Sequence, residues 1–106
     1  MGEKLLDRMR RVIRIRHYSY RTEKSYLGWA RRYILFHGKQ HPSRLGKEAI
    51  EAFLSHLAVD RRVAPSTQNQ ALNGILFLYR HVLEIDVPWL EDVVRAATRK
   101  RVPVVL

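Results

Sequence analysis

The chain has no cysteine, which removes a disulfide framework, a thiolate nucleophile and any cysteine-ligated zinc site, and which fits a reducing compartment. It also lacks a long apolar run: its apolar stretches fall far short of the roughly 18 residues that mark a bilayer span. The N-terminal MGEKLLDRMRR carries charge throughout, where a signal peptide would have a continuous apolar centre. These absences place the chain in the cytoplasm, with no membrane expected as a partner. Glycine is scarce at five residues, and no Gly-rich phosphate loop of the Walker type occurs. Acidic groups are few, and Glu48, Glu51, Asp60, Glu84, Asp86, Glu91 and Asp92 fall on expected helix surfaces and ends without the spacing of a general acid and base. His37 and His41 are four apart, but Gly38 and Pro42 interrupt the helix that would align them, so no metal site is expected. No cofactor is implied and no catalytic residue stands out, which argues against a complete small enzyme.

What is abundant is positive charge. Twenty basic residues face ten acidic ones, for a net charge of +10. The charge is also unevenly placed: net +4 over residues 1–16, +6 over 17–47, −3 over 48–97 and +3 over 98–106. A one-sided basic footprint of this size points to a polyanion partner, usually nucleic acid. The length of 106 residues suits one domain that buries roughly 60–70% of its unfolded surface.

The pattern predicts an all-α bundle of four to five helices. Leu5, Leu6, Met9, Val12 and Ile13 recur at helical spacing over residues 3–16, with Arg8, Arg11 and Arg14 on another side. That basic strip, Arg8 to Arg16, suits nucleic acid, a membrane surface or a partner helix. A second helix follows Ser19 or Thr22, both good N-caps, and repeats Tyr26, Trp29, Ala30, Tyr33 and Phe36 as its core face until Gly38 stops it. Its other face carries Lys24, Arg31 and Arg32, where guanidinium groups could clamp phosphates or be simply solvated. Arg21, Thr22 and Lys24 lie at its start, where backbone N–H groups and the helix dipole favour an anion. GKQHPSR reads as a loop. A third helix runs from Lys47 to about Asp60, a fourth starts near Ser66, and a short fifth is expected around Trp89 to Thr98. The terminal VPVVL is β-prone and apolar, and directly after RKR it reads as the severed start of a further domain.

The segment PSTQNQAL, residues 65–72, opens the fourth helix with uncharged polar side chains from Ser66 to Gln70. Ser66 or Thr67 can cap the helix, and Thr67 with Gln70 matches a T-x-x-Q capping box. Gln68 and Asn69 are left unexplained by capping, and amides pair with an adenine edge. Spacing alone leaves cap and reader both standing.

At these residues the chain resembles a known family. YRTEKSYLGWARRYILFHGKQHP, then EAFLSHLAV, then STQNQALNGILFLYRHVL resemble the N-terminal core-binding domain of tyrosine-type site-specific recombinases, the phage integrase family, and within it the integron-integrase branch. The resemblance implies a SAM-like helical domain over residues 1–98 and an interdomain linker over 99–106. It implies that this domain closes one half of a clamp on recombination-site DNA, duplex or folded single strand. The catalytic Arg, Lys, His and Tyr groups would belong to a second domain absent from this sequence. Two helix starts would face DNA: Thr22 with Lys24 and Ser25, and Ser66 and Thr67 with Gln70 one turn on. The expected contact set is therefore Arg21, Thr22, Lys24, Ser25, Arg31, Arg32, Ser66, Thr67, Gln68, Asn69 and Gln70. Other recombinase subunits would be partners in the full-length enzyme, while the isolated domain is expected to be monomeric. Two departures stand out: Gly74, where relatives tend to carry Ala, and Tyr20, where Pro is common. The rival from another class is a helical interaction module whose basic face meets an acidic protein.

Overall fold

A computed structural model describes residues 4–93, and within them the chain is all-α. The helices are α1 (Leu5–Ile15), α2 (Tyr20–Phe36), α3 (Lys47–Ser55), α4 (Pro65–Phe77) and α5, which starts at 88 and is described to 93. The loop expected at residues 38–44 contains one 3-10 turn, Pro42–Arg44. Residues 94–106, with the linker and the VPVVL tail, lie outside the described part.

The chain's four apolar stripes decide the packing. α2 and α4 form the central pair, and Gly74 is what brings them close: a Cβ there would stand 3.2 Å from the Trp29 Cβ and 3.5 Å from the Tyr26 Cα. Glycine in a helix interior is destabilising by about 1 kcal/mol relative to alanine, and at this crossing it removes the atom that would hold two backbones apart. On one side of the pair lies a core of Trp29, Tyr33, Ile50, Phe53, Leu57, Leu72, Ile75, Tyr79 and Leu90, drawn from α2 to α5. On the other side α1 buries Met9 and Ile13 against Ala30, Phe77, Leu78 and Val82. Phe36, expected in the core, is 41% exposed at the end of α2.

The helices stop by a shared device. α1 closes with Tyr18 N–H donating to the Ile13 carbonyl and His17 N–H to the Arg14 carbonyl, with His17 at φ 60°; this pairing of bonds is a Schellman cap. α2 ends the same way around Gly38, at φ 68°. α3 and α4 instead widen into π turns, His56–Asp60 and Leu78–Val82, and end at Arg62 (φ 49°) and Glu84 (φ 56°). Left-handed backbone at these non-glycine positions is tolerated because each cap satisfies carbonyls that would otherwise be orphaned.

A buried pair of tyrosines anchors the long loop to the core. The Tyr33 hydroxyl donates to the Tyr79 oxygen at 2.9 Å, and Tyr79 in turn donates to the Pro42 carbonyl at 2.8 Å. Burial raises the pKa of both hydroxyls, so both stay protonated. His37 Nε2 donates to the Ala49 carbonyl at 2.8 Å, and the Nδ1 of His41 accepts from the Ser43 N–H to cap the 3-10 turn. The two histidines thus serve the loop.

Candidate nucleic-acid interface

The start of α2 is fixed by Ser19, whose Oγ accepts from the Thr22 N–H at 3.1 Å and donates to the Thr22 Oγ1 at 3.0 Å. Of the two N-caps open to the sequence, Ser19 is therefore the one used, and Tyr20 at the next position does not disturb it. Residues 21, 24, 25, 28, 31 and 32 then follow at the spacing of one helix face. Arg21, Lys24, Arg31 and Arg32 are all exposed on it. Arg32 lies over the Trp29 ring with 4.9 Å to the centroid, and Lys24 over the Tyr20 ring with 5.4 Å. Such cation–π contacts hold long side chains in place without neutralising their charge.

The start of α4 corrects the capping expectation. The helix begins at Pro65, its N-cap is Ala64, and no side chain caps it. Ser66 and Thr67 lie inside the first turn, so the Thr67–Gln70 capping box does not form. The physical reason is Pro65: with φ preset and no N–H to satisfy, it suits the first helical position and moves the start one residue ahead of the serine.

One of the amides turns out to be structural. Gln68 donates its side-chain N–H to the Leu54 carbonyl at 3.2 Å, tying α4 to α3. It shares the i, i+4, i+7 spacing of Leu72 and Ile75, both in the core, and that spacing was the signal available in the sequence. Its amide is therefore engaged by α3, and Gln68 does not line the groove that Arg21 and Gln70 share. Asn69 is half-buried, and its backbone carbonyl accepts from the Asn73 side chain at 2.8 Å.

Some of the remaining polar residues converge, while Lys24, Arg31, Arg32, Ser66, Thr67 and Asn69 do not line the same groove. Arg21, Thr22 and Ser25 from α2 meet Gln70 and Asn73 from α4 around one open groove of about 320 Å³, with Tyr26 as its apolar wall. Gln70 is exposed and Asn73 half-buried. The groove thus offers amides and hydroxyls, with a guanidinium at its edge and the cations of α2 along one flank. Asn73 was not anticipated, although it follows Ser66 and Gln70 at i+7 and i+3.

The basic strip of α1 is partly committed elsewhere. Arg14 grips Glu23 in a two-pronged pair, Nε to Oε1 at 2.9 Å and Nη2 to Oε2 at 3.2 Å, and Arg10 stands 3.9 Å from the same carboxylate. Glu23 is the one buried charged residue among those described, at 5% exposure. The Arg14 hydrogen bonds hold its carboxyl below the usual glutamate range; burial opposes this, and the charges of Arg14 and Arg10 add to the lowering. Part of the α1 charge is thus matched inside the chain, while Arg21, Lys24, Arg31 and Arg32 of α2 stand exposed on one face. No helix among the described residues is long and apolar enough to cross a membrane.

Comparison with known proteins adds a family to this geometry. Residues 5–89 match the model of the phage integrase N-terminal SAM-like domain. The chain is 50% identical over 103 residues to a protein described as an integrase/recombinase from Escherichia coli, and equally to one from Pseudomonas aeruginosa. Those 103 residues are 97% of this chain but 31% of each relative, so the chain spans about a third of the length of the relatives it matches.

Proposed function

Because the chain belongs to the phage integrase N-terminal SAM-like domain family, we propose that it is the non-catalytic DNA-binding part of a site-specific tyrosine recombinase, of the integron type. The observation that carries this reading is the shared groove, in which Arg21, Thr22 and Ser25 of one helix start face Gln70 and Asn73 of another. Phosphates are held from the flank by Arg21, Lys24, Arg31 and Arg32, and the amides enter a groove of the DNA, so that position and sequence are read by different residues. The uncapped first turn of α4, with Ser66 and Thr67 in it, is suited to a phosphate oxygen. The order of the HGKQHP and STQNQAL segments supports the integron assignment. The catalytic groups lie in the part of the recombinase that this chain does not cover, and the other subunits of the recombinase are its protein partners.

The test is fluorescence anisotropy of a labelled recombination-site duplex and of its folded single strand, each against a scrambled control, across a salt series. The expected result is affinity that falls steeply with salt and a preference for the true site over the scrambled one. Equal, salt-steep binding to every probe would leave a phosphate grip without sequence reading. Absence of binding at low salt would overturn the proposal and favour an acidic protein as the partner of the basic face.

A further inference from the structure

Gly28 lies in the middle of α2 and is exposed. A Cβ built on it would meet nothing within 4 Å. Its φ is not among the positive values of the backbone, so no turn or left-handed conformation calls for glycine. This is the opposite of Gly74, whose missing side chain is filled by α2. At position 28 the helix bears the conformational penalty of glycine relative to alanine, with no compensating contact among the described residues. The bare backbone there is open to approach from outside the chain.

The surroundings indicate what approaches. Arg21 and Ser25 precede Gly28 on the same face by seven and three residues, Arg31 and Arg32 follow by three and four, and Lys24 stands one turn before it. From Arg21 to Arg32 the face runs about 16 Å along the helix axis, which is roughly five base-pair steps at 3.4 Å each. Cations stand at both ends of this track and a bare backbone in the middle. We infer that Gly28 is the point of closest approach between α2 and the sugar-phosphate backbone of duplex DNA, the missing Cβ letting the strand lie against the helix while Arg21, Lys24, Arg31 and Arg32 hold its phosphates on either side. The inference rests on the DNA-binding reading above and adds to it a residue that acts by absence of bulk.

The experiment compares the 106-residue chain with its Gly28→Ala and Gly28→Leu variants, measuring thermal unfolding and the anisotropy of a fluorescein-labelled DNA duplex across a salt series. Gly28→Ala is expected to raise the melting temperature and yet weaken DNA binding about tenfold, with a larger loss in Gly28→Leu. The salt slope should not change, because no charge is removed. A residue needed only for folding would move stability and affinity together. Unaltered affinity in both variants, with the parent chain binding in a salt-dependent way, would overturn this inference alone. A lowered melting temperature in Gly28→Ala would overturn it too, since glycine would then have a use inside the fold. A parent chain that binds no duplex at low salt would overturn both this inference and the function it rests on.

Discussion

At the scale of single residues, the amides show how one helix turn can divide its labour. Gln68 and Gln70 are two residues apart in an unbroken polar run, yet a separation of about 200° around the helix sends one to the Leu54 carbonyl and the other to the groove. Gln68→Ala should therefore lower stability by about 1 kcal/mol and change DNA affinity equally on all sequences. Gln70→Ala should leave the melting temperature in place and cost about 1–3 kcal/mol of binding on the true site only; a uniform loss would make Gln70 a phosphate contact. The tyrosine pair gives a second case. Tyr79→Phe strands the Tyr33 hydroxyl in the core and leaves the Pro42 carbonyl with only its bond from the Leu45 N–H, and a loss of about 1–3 kcal/mol in urea unfolding is expected. Tyr33→Phe should cost less, because Tyr79 keeps its bond to Pro42.

At the scale of elements, α1 is docked by apolar packing on one side and by charge on the other. Met9 and Ile13 reach the second core, while Arg14 and Arg10 close on Glu23 of α2. The charge contact carries a pH signature. A glutamate whose folded pKa is depressed adds stability that is fully present above its unfolded pKa, about 4.3, and is lost as pH falls through the folded value. Glu23→Gln should accordingly be less stable than the parent chain near neutral pH, and thermal melts should show the gap closing below about pH 4. A gap that is constant with pH would mean that the carboxylate is not ionised in the pair. No spacing rule reveals Glu23 as buried, because its partners come from another helix nine and thirteen residues earlier in the chain. The four longer helices themselves were legible, since each has an apolar stripe of period 3.6. Their ends were less so: caps at His17, Arg62 and Glu84 use left-handed backbone without glycine, and no residue type announces them.

At the scale of the whole molecule, the net charge of +10 is arranged so that α1 spends part of its cations on Glu23 while α2 presents its own to solvent. Lys24→Ala and Arg31→Ala should each weaken binding by a similar factor on every DNA sequence and flatten the salt slope by roughly one; unchanged slopes in both would remove these residues from the interface. The sequence by itself determined the all-α class, the basic face of α2, the two polar helix starts and the family, because these depend on periodicity, charge and residue order along one chain. Which polar residues share a site was decided only by the tertiary structure. The close crossing of α2 and α4 at Gly74 sets Gln70 and Asn73 beside Arg21, Thr22 and Ser25 and turns Gln68 toward α3. That outcome depends on how far apart two helices pack and on their rotation, quantities fixed by side-chain volumes at the crossing and carried by no single stretch of sequence.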